Sequence, residues 1–267
     1  LPGVAALIAL VFAYQQINST NAQLQIAQQG QITDRYNAAI TNLGSGSIEV
    51  RLGGIYALQR LMQDSPRDQP TVIAVLCAFV RNQAGPAIMP KQPSAFQPPP
   101  ASQLPTDIQA ALTVVGARDT AKDGTTTVVD FDNAQLPSAQ LSNLDLAYAN
   151  LDGANLDGAF FPNANLKQVA LAGANLESTV FVGANLTGAN LSSANLTGAN
   201  LDGANLHGAI LDNANLAGAI INNANIDGVD FSSANLNFAQ WPQNVPPPKG
   251  WVRNPVTYQL SRAKPDA

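Results

Sequence analysis

Residues 149–158 read Ala149-Asn150-Leu151-Asp152-Gly153-Ala154-Asn155-Leu156-Asp157-Gly158, two copies of a five-residue unit set end to end. The register extends in both directions. With the large apolar residue as centre, Phe131, Leu136, Leu141 and every fifth residue to Trp241 make 23 units without a skipped position, and every centre is Leu, Ile, Phe or Trp. Two residues before the centre stands Ala in 18 of the 23 units, the exceptions being Val129, Leu144, Val169, Thr179 and Val229. A small and a large apolar residue two apart lie on one side of an extended chain, so both face inward and the residue between them faces out. That outward residue is Asn in twelve units. Gly ends ten of them, as at Gly153, Gly158 and Gly203, where a turn with positive φ calls for it.

Composition agrees with a layered interior. The 267 residues are 46% apolar but only 6% aromatic and 12% charged, so the core is built from Leu, Val, Ile and Ala. One cysteine, Cys77, excludes an internal disulfide and Cys-rich zinc patterns, and one histidine, His207, excludes paired-histidine metal motifs. No metal site and no cofactor are expected. Cys77 lies in the apolar run 72–80 and reads as an inert core thiol. The net charge of −5 argues against direct nucleic-acid binding, which draws its affinity from Lys and Arg neutralising phosphates. Charge is also unevenly distributed: residues 1–128 balance at +1, 129–243 at −9 and 244–267 at +3.

Tandem A-N-L-x-x units in this number resemble the pentapeptide-repeat proteins. The resemblance implies a mainly β fold, a right-handed quadrilateral β-helix in which four units make one coil. Coils one strand spacing apart then give about 5.75 coils and a rod of roughly 28 Å. Residues twenty apart stack. Asn155, Asn175, Asn195, Asn215 and Asn235 form one column and Asn165, Asn185, Asn205 and Asn225 another, where side-chain amides can bond along the stack. A third column places Phe160, Val180 and Ile220 outward with Val182 beside them, and a further one adds Ile210. Outward apolar residues call for something to cover them, so these five form the candidate interaction face. Thr187, His207 and Asp227 also stack, but on a convex turn without a pocket, so no catalytic residue is assigned and no enzyme is expected.

Upstream, an α-helical N-terminal domain is expected. Leu1–Tyr14 reads as the second half of a transmembrane segment in a chain that begins partway through a longer product. A Gln-rich helical stalk over 15–31 follows, then a helix over 34–43 broken by Gly44-Ser45-Gly46 as a left-handed cap or a turn would break it. Ser47 caps a helix carrying Leu52, Ile55, Leu58 and Leu61, in which Gly53 and Gly54 suggest close contact with a neighbour. Breaks at Ser65-Pro66 and Gln69-Pro70 precede a short apolar helix over 72–80. The block 34–37, the run 51–58 and the Ser65-Pro66 break resemble the helical module of bacterial, membrane-anchored pentapeptide-repeat proteins, a subset with no established common activity.

The expected divisions are a truncated span over 1–14, stalk and helical module over 15–83, a Pro-rich linker over 84–105, a capping helix over 106–128, repeats over 129–243 and a cap and tail over 244–267. Thr106 and Gln109 match a capping box opening a helix that plugs the first coil, and Trp241 with Val245–Val252 matches a cap on the last. The functional expectation is a non-enzymatic, membrane-tethered scaffold for protein–protein interaction, with the repeats in the cytoplasm and a protein partner or a second copy on the apolar face. The alternative is a DNA mimic that inhibits a type II topoisomerase such as gyrase, for which the −9 balance of the repeats provides the charge.

Overall fold

The computed structural model describes residues 2–84, 104–124 and 127–263, so most of the expected Pro-rich linker lies outside the described residues. The chain divides into two compact units, Leu1–Asp68 and Gln69–Ala267.

In the first unit, α1 (Pro2–Leu43) is one helix of 42 residues rather than the expected span, stalk and separate helix. Nothing between Tyr14 and Asp34 breaks a helix: the stretch is rich in Gln, a good helix former, and holds no Pro, and Gly30 alone costs about 1 kcal/mol. Among the described residues no helix is long and apolar enough to cross a membrane, because the apolar run gives way to Gln and Asn after Tyr14. Of the two expected ways of ending α1, the chain uses the turn rather than the left-handed cap, since neither Gly44 nor Gly46 has positive φ. Arg51 holds the turn, donating to the carbonyls of Ser45 (2.9 Å) and Gly46 (3.1 Å).

Ser47 caps α2 (Ile48–Asp64) as expected, accepting from the Val50 N–H. Gly54 is where α1 and α2 meet, for a Cβ there would stand 2.8 Å from the Ala39 carbonyl, whereas one at Gly53 would meet nothing. Arg35 pairs with Asp64 at 2.8 Å across the two helices.

The second unit opens with α3 (Gln69–Gln83), which starts earlier than expected because Pro70 falls in its first turn, where a missing N–H costs nothing. Next comes α4 (Thr106–Gly116), then a 3₁₀ turn (Thr120–Lys122) and the repeats. The capping box is not formed: Pro105 is the N-cap and no side chain closes it, because Gln109 is engaged elsewhere. From Asp130 onward, parallel bridges join residues twenty apart, as in Asn155 to Asn175 and Asn175 to Asn195, so four five-residue units make one turn of the helix.

Three backbone bonds per unit tie successive turns together. Leu176 donates to Asn195 O (2.8 Å), Ser178 to Thr197 O (2.9 Å), and Asn195 back to Ala174 O (2.9 Å), while Thr179 closes the corner onto Leu176 O (3.2 Å). The interior is Ala and Leu, with Phe161 and Phe181 stacked at 5.1 Å and Thr179, in an Ala position, donating to the Leu156 carbonyl at 2.9 Å. The corner residue has positive φ at Gly positions and equally at Asn133, Ser138, Tyr148, Gln168 and Phe238. Glycine is therefore the relaxed choice there rather than a requirement, and the coil geometry imposes the conformation on other residues at a strain cost.

The outward Asn does two things at once. Asn175 Nδ2 donates to Asn155 Oδ1 (3.0 Å), while its own Oδ1 accepts from Asn195 Nδ2 (3.1 Å) and from the Glu177 N–H (3.4 Å). Replacing Asn175→Ala removes all three bonds and is expected to cost about 1–3 kcal/mol. Leu176→Ala, in the core beside it, is expected to cost about 2–5 kcal/mol. Thermal unfolding followed by circular dichroism orders the two; an Asn175→Ala variant as stable as the parent refutes the side-chain ladder as a source of stability.

Candidate interaction surface

The first coil has no coil beneath it, yet among the described residues three of its downward N–H groups find acceptors. Gln135 donates to Ala84 O (2.8 Å), Gln140 to Gln109 Oε1 (2.9 Å) and Asp145 to Gly116 O (2.8 Å). Gln109 Nε2 returns a bond to the Gln140 carbonyl at 2.7 Å, completing a side-chain imitation of a rung. Contact is close, since a Cβ on Gly116 would lie 2.7 Å from Leu144 Cβ. Arg118, nearly buried, pairs with Asp123 (2.9 Å) and donates to the Asp145 carbonyl (2.9 Å), and Arg81 pairs with Asp130. α4 and the end of α3 thus lie against the first coil as a plug, and they occupy three of the positions where another strand could pair.

Cys77 lies in this cap at 1% exposure, and burial pushes its thiol up to about 12. The thiolate is therefore negligible near neutral pH. Iodoacetamide at pH 8 is expected to leave Cys77 intact in the folded protein and to alkylate it readily after denaturation, read by intact mass; rapid alkylation of the native protein refutes the inert-thiol reading.

The last coil is covered by a two-stranded antiparallel hairpin, β1 (Trp251–Arg253) and β2 (Leu260–Arg262), with Gln240 bridged to Gln259. The hairpin lies within the expected cap and tail over 244–267 but reaches past Val245–Val252, since β2 has an alternation only three residues long that the sequence does not mark as a strand. Trp241, 1% exposed, meets Phe231 edge-on at 5.0 Å, and Trp251 lies under the Arg262 guanidinium at 4.4 Å. Arg253 ties the intervening chain by donating to Pro242 O (2.6 Å) and Val245 O (3.1 Å).

Between the caps, the five candidate face residues do not form one patch. Phe160, Val180, Asn200 and Ile220 are bridged in one column, with Phe160 38% exposed, Val180 and Ile220 half-buried, and Val182, 37% exposed, two residues along from Val180. Ile210, 46% exposed, belongs to the column of Asn150, Ala170 and Asn190, two units away around a four-unit turn. Asn150, Asn190 and Asn200 in these columns accept the N–H two residues on, whereas Phe160, Ala170, Val180, Ile210 and Ile220 have no side-chain acceptor to offer it. The chain compensates locally: Pro162 follows Phe160 and has no N–H to satisfy, and the Ala172 N–H above Ala170 is taken by Asp152 Oδ1 from the coil below (2.7 Å).

Thr187, His207 and Asp227 stack as expected but are not coupled. The Thr187 hydroxyl donates to Asn185 Oδ1 at 2.7 Å, and His207 and Asp227 are engaged through their backbone N–H groups by Asn205 and Asn225 (both 3.1 Å). Among the described residues no group of three or more His, Cys, Asp or Glu side chains is placed to hold a metal ion.

The family model described as "Pentapeptide repeats (8 copies)" matches residues 129–163, 161–198 and 199–237. The chain is a pentapeptide-repeat protein. Members form right-handed β-helices and are in general non-enzymatic structural or interaction proteins. Among solved structures, the pentapeptide-repeat protein Rfr23 of the cyanobacterium Cyanothece 51142 is 29% identical over 40% of this chain and 86% of its own, with a TM-score of 0.32. The pentapeptide-repeat protein alr5209 of Nostoc Pcc 7120 is 31% identical over 44% of this chain and 77% of its own, with a TM-score of 0.23. QnrB1, a plasmid-mediated fluoroquinolone resistance protein, is 23% identical over 41% of this chain and 53% of its own, with a TM-score of 0.25. No curated protein matches the chain.

Proposed function

We propose that the repeat region is a non-enzymatic scaffold for protein–protein interaction, a four-sided rod of about 5.75 turns at one strand spacing per turn. The observation that carries this reading is the Phe160, Val180 and Ile220 column. Each of these residues occupies a position where Asn would add an amide bond along the stack, and at Val180 and Ile220 also a cap on the backbone N–H two residues on, as Asn175 does. Apolar groups there forgo those bonds and present carbon to water, which favours a surface that a partner or a second copy covers.

The triple variant Phe160→Asn, Val180→Asn and Ile220→Asn restores the amide column, so the fold is expected to stay intact or gain stability while capture of partners and self-association are lost. Sedimentation equilibrium and cross-linked capture measure both; a triple variant that binds like the parent refutes the reading.

Membrane tethering, with the repeats in the cytoplasm, remains part of the proposal through the start of α1, where Leu7, Leu10, Phe12 and Tyr14 are all exposed. Flotation with phosphatidylcholine–phosphatidylglycerol vesicles is expected to carry the chain upward and to fail for the Leu10→Lys, Phe12→Lys double variant. Equal flotation of the two refutes attachment through this segment.

A second reading rests on the −9 balance of residues 129–243: an acidic rod that occupies the basic DNA site of a type II topoisomerase. Its ten acids are spread over all four sides, which favours the scaffold. Inhibition of gyrase supercoiling by micromolar protein decides for the mimic, and its absence for the scaffold.

A further inference from the structure

The two ends of the repeat region are not closed equally. In the inner coils each centre residue and the corner residue two positions later donate their N–H groups to the coil above, as Leu206 does to Asn225 O (2.8 Å) and Gly208 to Asp227 O (2.9 Å). In the last coil, Phe238 and Trp241 continue the pattern onto Leu260 O (2.8 Å) and Tyr258 O (3.1 Å) of the hairpin region. On the neighbouring sides it stops. Ile226, Gly228 and Phe231 hold the same positions in their units, and among the described residues no backbone carbonyl receives their N–H groups.

The chain's own continuation does not supply that rung. Twenty residues beyond Asn225–Gly228 stand Val245-Pro246-Pro247-Pro248, and three prolines lack N–H groups to return to the ladder. This segment arches away instead and leaves a groove of about 480 Å³, walled by Ile226, Val229, Phe231 and Trp241 on one side and by Pro246 and Pro248 on the other. The Trp241 indole N–H, buried in a residue 1% exposed, has no hydrogen-bond partner among the described residues. The coil below is parted here as well, for the bridge from Ile210 to Asp230 that would extend the Asn150 column is missing among the described residues.

We propose that this groove binds an extended peptide segment of a partner protein, one that alternates apolar and basic residues and adds a rung to the last coil. Backbone N–H groups left along a sheet edge select carbonyl acceptors at strand spacing, the mode by which a peptide augments a sheet. Ile226, Val229 and Phe231 provide the apolar contact. Asp227 and Asp230, both exposed, line the groove against a single Lys249, so its charge favours a basic segment. Hydrogen bonds from the Ser232 backbone and side chain hold the Asp230 carboxyl below its ordinary value. A second copy brings the same two carboxylates and is disfavoured for that reason. The site deepens the scaffold reading by naming a partner class, but it does not involve the Phe160 column, so failure here leaves that column's reading intact.

The test uses the full chain and an acetylated, amidated hexapeptide alternating valine and lysine, with a valine–glutamate hexapeptide as control. Saturating valine–lysine peptide is expected to slow amide hydrogen exchange at Ile226, Gly228 and Phe231 by about tenfold or more and to shift the Trp241 indole proton resonance, with the control peptide doing neither. The double variant Asp227→Lys, Asp230→Lys, at exposed positions, is expected to bind about tenfold more weakly, while Phe160→Asn binds unchanged. Unchanged exchange at millimolar peptide, equal protection by both peptides, or protection of the same amides by dimerisation without peptide each overturns the proposal.

Discussion

The repeat region depends on one hydrogen-bond relation, the pairing of each residue with the residue twenty positions later. Backbone bonds set the spacing, and the outward Asn locks the register: Asn175 reaches down to Asn155, receives Asn195 and at the same time caps the Glu177 N–H. A slip of one residue would break these bonds in every coil and turn Leu outward, so the alternatives are far higher in energy than the native register. The amide serves where a carboxylate would not, because it both donates and accepts, and identical uncharged groups can be stacked without repulsion. That explains a surface with little charge over an interior of Ala and Leu.

A ladder that repeats indefinitely has to be stopped at both ends, and the two stops use different chemistry. At the start, Ala84, Gln109 and Gly116 provide three acceptors that stand in for a missing coil, and Arg118 and Arg81 fasten the cap through Asp123 and Asp130. At the other end a hairpin takes up the Phe238 and Trp241 donors, but the proline run after Val245 cannot follow the coil, so the Ile226 to Phe231 side stays open. Closure at one end and incomplete closure at the other give the solenoid a direction. Its outward-facing unsatisfied features also fall into two kinds: apolar residues on the sides at Phe160, Val180, Ile210 and Ile220, where Asn has been given up, and an open edge at the end, where backbone donors remain.

The sequence carried the repeat register to the residue, and with it the inward and outward positions, the Asn columns and the fact that Phe160, Val180 and Ile220 share a line. It did so because a period of five with an alternating small and large interior has few physical solutions. It was poorer at junctions. The continuous α1 was divided because a change from apolar to Gln-rich composition suggests a boundary, although nothing there interrupts helical hydrogen bonding. Thr106 and Gln109 matched a capping box, yet Gln109 gains more by bonding both backbone groups of Gln140 in a rung that sequence distance hides. Positive φ at Tyr148 and Phe238 was invisible too, since local preference opposes it and only the closed coil demands it.

The amino-acid sequence by itself determined that this chain stacks five-residue units around an Ala and Leu core with amide columns outside, because burial and amide bonding act identically in every unit. Only the tertiary structure decided where those columns end and which N–H groups find acceptors in the caps. Those outcomes depend on contacts such as Gln109 with Gln140 and Trp241 with Tyr258, whose partners become neighbours only once the coils have closed.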